Sequence, residues 1–412
     1  MRDHAIVLSV LLLLALPLAA KEPSLHLAIG DPARKDREAP VVLDGITDAR
    51  TGEVLAPSEL APRLYGVRLL LVGESHTNAD FHQIQLRVIE ELHRAGRPVL
   101  IGLEMYPYTE QRYLDQWIDG LLTEEGFVRL SRWYKSWGYN WGYYRDIFLF
   151  ARDRGIPMFA VNAPREAITA VRQKGFDALS PEEAIHLPRQ VDTSSQDHRI
   201  LIRSFFGGDD PLHGGMSPEQ FEGMYTAQST WDATMGHNAV KALREHGTPG
   251  SVMVVLVGSG HVAYGLGIQR QVAPGFEKEF GGRIAALIPV PVRDEDGDPV
   301  DKVQASYADF VWGVPPEADP VWPSLGLSTG MGEGEPARRV IFVTKGSAAD
   351  KAGFQTGDLL LTFDGTPVTD KEVLNRLLAG KRWGDTAVFT VKRGEETRTL
   401  TVSFRRQRGG PT

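Results

Sequence analysis

Unbroken apolar runs alternate along the first part of the chain with segments whose apolar residues return every third or fourth position. Arg68-Leu69-Leu70-Leu71-Val72, Pro98 to Met105, Ile156 to Asn162 and Val252 to Val257 are runs of the first kind. A run without polar alternation suits a strand covered on both faces, as in a parallel sheet. Between these runs, Asn78-Ala79-Asp80 opens a helix with Phe81, Ile84, Val88 and Leu92 on one face. Tyr113, Leu114, Trp117 and Ile118 mark a second helix, Pro164 to Lys174 a third, and Pro218 to His246 a long fourth. The alternation predicts an α/β fold: a mostly parallel sheet flanked by helices, with a helical subdomain. Beyond the Pro-rich stretch Val314 to Pro320 the texture changes to short strands and tight turns, which predicts a small β-rich domain over residues 324–405.

The ends read differently. Met1-Arg2 precedes an apolar core, Ala5 to Leu16, too short to span a bilayer, and Leu18-Ala19-Ala20 forms a small-residue cleavage site before Lys21. Residues 1–20 therefore read as a secretory signal cleaved near Ala20. That places the mature protein in the periplasm or cell envelope, with membrane association only through a retained signal or a partner. Residues 21–41, rich in Pro and charge, read as a linker; 42–310 as the first domain; 311–323 as a second linker; 406–412 as a disordered tail. A chain of 412 residues, 42% hydrophobic, has room for two cores. The net charge of -8, with no basic stripe, argues against nucleic acid. The absence of Cys removes disulfides, thiolate metal sites, thiol catalysis and a lipid-anchored N-terminal cysteine.

In open parallel sheets ligands bind beyond the carboxyl ends of the strands. Gly73-Glu74-Ser75-His76 and Gly258-Ser259-Gly260-His261 each end a predicted strand, Glu104 lies at a third strand end and Asn162 at a fourth. Glu74, His76, Glu104, Asn162 and His261 are therefore the candidate pocket, whether catalytic or ligand-binding. A lone histidine in such a place commonly caps a helix or satisfies loop backbone; two copies of one strand-Gly-x-x-His arrangement favour a shared site. His82 and Gln85, one turn apart, face either the same crevice or solvent. No His-Glu-x-x-His and no cysteine signals zinc, and the residue types leave a divalent metal open. Trp133, Tyr134, Trp137, Tyr139, Trp141, Tyr143 and Tyr144 crowd one short segment. They either stack a flat apolar ligand and offer a phenolate, or form the core of a lid.

Leu71-Val72-Gly73-Glu74-Ser75-His76, Gly102-Leu103-Glu104-Met105, Trp137-Gly138-Tyr139-Asn140-Trp141 with Tyr144, Ala160-Val161-Asn162-Ala163-Pro164, Gln228 with Asp232, and Gly260-His261-Val262-Ala263-Tyr264-Gly265 stand in this order. Together they resemble the ChaN-type haem-uptake family, a branch of the Tiki/TraB superfamily that also includes erythromycin esterase-like enzymes. The resemblance runs from about Val41 to Val290. It implies a cell-envelope protein that binds haem or a related iron ligand, as a homodimer, with a tyrosine on the iron. Tyr144 and Tyr264 are the candidates for that tyrosine, with Trp141 as a further haem contact. The enzyme branches imply an alternative, an esterase- or peptidase-like hydrolase. In it His76 is the general base, Glu74 or Glu104 orients it, and His261 stabilises developing charge.

From Leu325 to Phe404 the chain is similar to a bacterial PDZ domain of the kind attached to envelope proteases. The similarity is carried by Gly346 to Phe354, by Gly357-Asp358-Leu359-Leu360 through Val368, and by Gly384-Asp385 before Thr386. It implies a peptide or protein partner, added as an extended strand, with its carboxylate near Leu325-Gly326-Leu327. Leu374 and Leu377 line that groove or belong to the internal core. Locally, Asp364-Gly365 predicts a hairpin, and Thr369 with Glu372 a capping box for a helix from Asp370 to Ala379. No serine-protease triad accompanies the module.

Overall fold

The structure, a computed structural model, describes residues 23–205, 217–294, 296–316, 320–330 and 337–406. The signal at 1–20 lies outside the described residues, as does all but the first residue of the 406–412 tail. Two compact units divide the described chain, one built from residues 23–127 and 143–316, the other from 128–142 and 320–406.

The first unit runs through β1 (Ile46–Asp48), β2 (Glu53–Leu55), β3 (Val67–Glu74), β4 (Val99–Pro107), β5 (Met158–Asn162), β6 (Val252–Gly258), β7 (Arg283–Pro291) and β8 (Phe310–Val314). They join in one sheet of order β2-β1-β8-β7-β3-β6-β4-β5. The strands from β8 to β5 are parallel, and β1 and β2 turn back antiparallel at one edge. Leu69 to Val72 and Val252 to Val257 are fully buried, as a centre strand with helices on both faces requires.

Helices α1 (Ala79–Arg94), α2 (Gln111–Ile118), α3 (Arg145–Arg154), α4 (Arg165–Lys174) and α5 (Pro218–His246) flank this sheet. Asn78 starts α1 by accepting a hydrogen bond from the Asp80 amide at 2.9 Å. Ser217 and Gln220 form a capping box at the start of α5. Phe81, Ile84, Val88 and Leu92 are buried, as their spacing predicts.

Three boundaries differ from the sequence reading. Residues 21–41 are not a loose linker over their described part: Leu25, Ile29, Ala39 and Val41 are buried in the main core, and Glu38–Pro40 pairs with Lys302–Gln304. Their apolar side chains are too widely spaced to show a period, so their burial had no local signal. The first domain does not stop at 310, because β8 pairs with β7 through Val314. The segment 128–142 packs with the C-terminal unit although it interrupts the first in sequence.

In that C-terminal unit β9 (Leu327–Gly330), β10 (Arg338–Val343), β11 (Leu359–Phe363), β12 (Thr386–Arg393) and β13 (Glu396–Ser403) follow one another in one sheet, with Thr366–Pro367 added to β11. β9 is its edge. Asp364 and Gly365 take φ 48° and 77° and make the expected hairpin. The helix α6 (Lys371–Ala379) is capped one residue later than predicted: Asp370, not Thr369, accepts from the Val373 amide, at 3.0 Å. A carboxylate at the helix start also gains from the helix dipole, which a hydroxyl does not. Asp358 is fully buried and takes both its oxygens to Arg393 at 2.7 Å, fixing the turn into β11.

Candidate functional site

Glu74 is opposite Gly258 in the β3–β6 register, so the two Gly-x-x-His loops leave the sheet side by side. Both glycines are needed for room. A Cβ on Gly258 would stand 3.1 Å from His76 Cε1, and one on Gly73 would stand 2.8 Å from Ser259 Oγ. Gly258 has φ -54°, which any residue can adopt, so the requirement is steric and not conformational.

Glu74 anchors the first loop. It is 3% exposed, and its Oε1 accepts from Tyr144 Oη at 2.5 Å and lies 2.7 Å from His76 Nδ1. Its Oε2 accepts from Gln85 Nε2 at 2.7 Å and lies 3.5 Å from His82 Nδ1. Burial alone would raise this carboxyl, but His82, His76 and the Tyr144 hydroxyl favour the anion and hold it at about 2. His76 is pushed the other way: burial lowers it, while Glu74 and Glu104 outweigh that and raise it above its ordinary value.

The second loop is built around Glu104. Register in β4 jumps from Leu103 opposite Ala160 to Pro107 opposite Asn162, a bulge that takes Glu104 out of the ladder. Its Oε2 then accepts from the Gly258 amide at 2.7 Å, and its Oε1 is 3.3 Å from His261 Nε2. The other ring nitrogen of His261 lies 2.6 Å from Asp232 Oδ1 and 2.9 Å from the Gln228 amide. Burial pulls His261 down, and Glu104 and Asp232 overcome it to push it up to about 10. It is therefore a buried cation at neutral pH.

Asn162 Nδ2 donates to the Glu104 carbonyl at 2.7 Å, while its Oδ1 accepts from the Trp231 indole and the Ala163 amide. All five residues of the sequence-predicted pocket thus meet on one rim. His82 and Gln85 turn inward, both buried. Gln228 and Asp232, known from the sequence only as motif residues, share one face of α5 at i, i+4, which is the signal that could have assigned them a role. His198 had none: it approaches Asp232 Oδ2 at 3.6 Å from a helix with no motif, and burial drives it down to about 4, so it is neutral.

The aromatic candidates have different partners. Tyr144 is fully buried against Glu74. Tyr264 Oη donates to the Ser24 carbonyl at 2.6 Å and accepts from the Leu27 amide at 3.0 Å, and burial pushes its phenol up. Trp141 belongs to the other unit, edge-on to Trp133 at 5.0 Å. In the C-terminal unit Leu325 and Leu374 are core residues, 3% and 5% exposed; Leu377 packs against that core from its margin, and Gly326 turns at φ 69°. Among the described residues no group of three or more His, Asp and Glu is placed to hold a metal ion.

Comparison with known proteins assigns a family to each part of the chain. The family described as haem-binding uptake, Tiki superfamily, ChaN, matches residues 60–272, and the PDZ domain matches residues 323–404. ChaN of Campylobacter jejuni, solved with cofacially bound haem, is 16% identical, with 67% of this chain and 96% of that chain aligned at a TM-score of 0.51. The erythromycin esterase EreC is 12% identical over 68% of this chain and 98% of its own, at a TM-score of 0.40. The HtrA3 PDZ domain with a phage-derived ligand is 21% identical over 16% of this chain and 58% of its own, at a TM-score of 0.15. No curated protein matches the chain.

Proposed function

The chain belongs to the haem-binding uptake family of the Tiki superfamily, ChaN, and from that premise we propose that it binds haem or a related iron ligand at the rim of its two Gly-x-x-His loops, while its PDZ domain docks a peptide or protein partner. The carrying observation is the His76 imidazole, whose side chain is 17% exposed and whose Nδ1 is fixed by the buried Glu74. A carboxylate-anchored imidazole is the donor that iron takes in many haem and metal sites. The tyrosines fit that role poorly as they stand. The hydroxyl of Tyr144 is committed to Glu74 and that of Tyr264 to backbone, so neither offers a phenolate. His76 would therefore hold the iron, and haem when bound would supply the metal that the imidazole ligates.

Titrating the mature protein with ferric haem tests this reading. A saturable, stoichiometric absorption band that weakens in His76→Ala supports it; a wild-type protein with no band overturns it. The same reading includes export and a homodimer. Protein recovered from the periplasm should begin at Lys21 and scatter light as a dimer, and an intact Met1 or a monomer overturns those parts.

The site also favours a second reading, an ester or peptide hydrolase, on one observation: each imidazole is held by its own buried carboxylate, His76 by Glu74 and His261 by Glu104 and Asp232. In this reading Glu74 orients His76 for proton transfer, and His261, pushed up by Glu104 and Asp232, stabilises developing negative charge. A divalent metal has no cluster of ligands to support it among the described residues. Turnover of ester or peptide substrates that disappears in His76→Ala, from protein that gives no haem band, would select this reading over the first.

A further inference from the structure

The C-terminal unit contains, besides the PDZ domain, residues 128–142, and these lie along α6. Arg132 donates from Nε and Nη2 to Glu372 Oε2 at 3.0 and 2.6 Å. Asn375 Nδ2 donates to the Tyr134 carbonyl at 3.0 Å, and Asn140 Nδ2 donates to the Ala379 carbonyl at 3.1 Å. Gly138, at φ 94°, sits so close to Asn375 that a Cβ would stand 2.8 Å from its Nδ2, with Lys371 Cε next at 3.7 Å. Gly142 is likewise covered by the Trp322 indole.

On a helix, Lys371 and Asn375 stand one turn apart and Leu378 follows on the same stripe. That stripe borders Leu374 and Leu377, which point into the PDZ core with Leu325 and Leu327 of the carboxylate loop. A peptide added to the open edge of β9 must run beside α6. The stripe that would wall it is the one that Tyr134 and Gly138 already touch.

The segment is itself ordered for this position. Arg132 takes φ 52° to start the short helix Trp133–Ser136, Trp133 Nε1 donates to the Tyr139 carbonyl at 2.7 Å, and Trp133 and Trp141 pack edge to face. It is a preformed plug and not a loose strand.

We propose that residues 128–142 are an internal occupant of the PDZ domain's peptide-binding face, so that an incoming peptide and the seated segment compete for α6. The proposal rests on the peptide-docking reading above.

The test uses the full mature chain and the double variant Arg132→Glu with Asn140→Ala, which changes only the segment and leaves every PDZ residue intact. The probes are fluorescein-labelled hexapeptides ending in a free-carboxylate Val, Leu or Phe, apolar residues suited to the half-buried Leu327 of the carboxylate loop. Losing a charged and a neutral hydrogen bond from the plug should tighten peptide binding by about tenfold. In wild type, hydrogen exchange of residues 133–141 should accelerate when peptide is added. Equal affinities for the two proteins, with exchange at 133–141 indifferent to peptide, overturn the competition and leave peptide docking standing. If neither protein binds any of the probes, the docking reading fails and the competition falls with it.

Discussion

Tyr144 and His76 share one oxygen: Glu74 Oε1 lies 2.5 Å from the phenol and 2.7 Å from the imidazole nitrogen. The most aromatic segment of the chain thus ends on the carboxylate that orients the first histidine. Whatever moves Tyr144 changes the proton affinity of His76 through that oxygen.

Removing the acceptor should be severe. Glu74→Gln leaves Tyr144, Gln85 and two histidines arranged around a neutral amide, and breaking a buried charged network of this kind costs about 3–5 kcal/mol. Tyr144→Phe deletes a single hydrogen bond to a charged group and should cost about 1.5–3 kcal/mol. Urea unfolding of both variants checks the order, and a Glu74→Gln protein as stable as wild type contradicts the anchoring role.

Stability should fall on both sides of neutral pH. His261 is raised on folding from 6.5 to about 10, so its contribution is complete below 6.5 and drains away as pH rises through the folded value. Glu74 is depressed from 4.5 to about 2, so its contribution is complete above 4.5 and is lost as pH falls toward 2. Melting temperature measured across this range should drop at each end. His261→Asn should flatten the alkaline limb and Glu74→Gln the acid limb; limbs that stay unchanged in the variants assign the loss to other groups.

Gly258→Ala is a test of position without loss of any functional group. The added methyl would sit 3.1 Å from His76 Cε1 and 3.7 Å from Glu104 Oε2, so the ring must shift. Haem affinity should drop by about tenfold, equivalent to about 1.4 kcal/mol, with the far-ultraviolet spectrum intact. An unchanged affinity would place the iron ligand elsewhere than at His76.

At the other end of the chain, Gly326→Ala should weaken peptide docking. Its φ of 69° is disfavoured for alanine by about 1–2 kcal/mol, and the methyl would run into the Ser347 side chain. Fluorescence anisotropy with the labelled hexapeptides reads the loss, and wild-type affinity in this variant would move the carboxylate loop away from Leu325-Gly326-Leu327.

Much of this arrangement was legible in the sequence, for physical reasons. The unbroken runs at Leu69 to Val72 and Val252 to Val257 could only be doubly covered strands, and the repeated Gly-x-x-His at their ends put two imidazoles on one edge. What stayed hidden depended on contacts far apart in the chain. Residues 24–41 hold buried side chains without a period, β7 and β8 gave no separate expectation, and His198 reaches Asp232 from an unremarked helix. Spacing also could not tell that the aromatic segment divides, with Trp133 to Trp141 in the C-terminal unit and Tyr144 in the first.

The strand order carries a consequence for how such a protein comes into being. β6 lies between β3 and β4, yet it is made some 150 residues after β4. Until residue 258 has left the ribosome, the middle of the sheet is a vacant slot flanked by two unpaired edges, and nascent chains in that condition invite wrong partners. Any truncation before Val252 should therefore yield aggregate and not a smaller working domain.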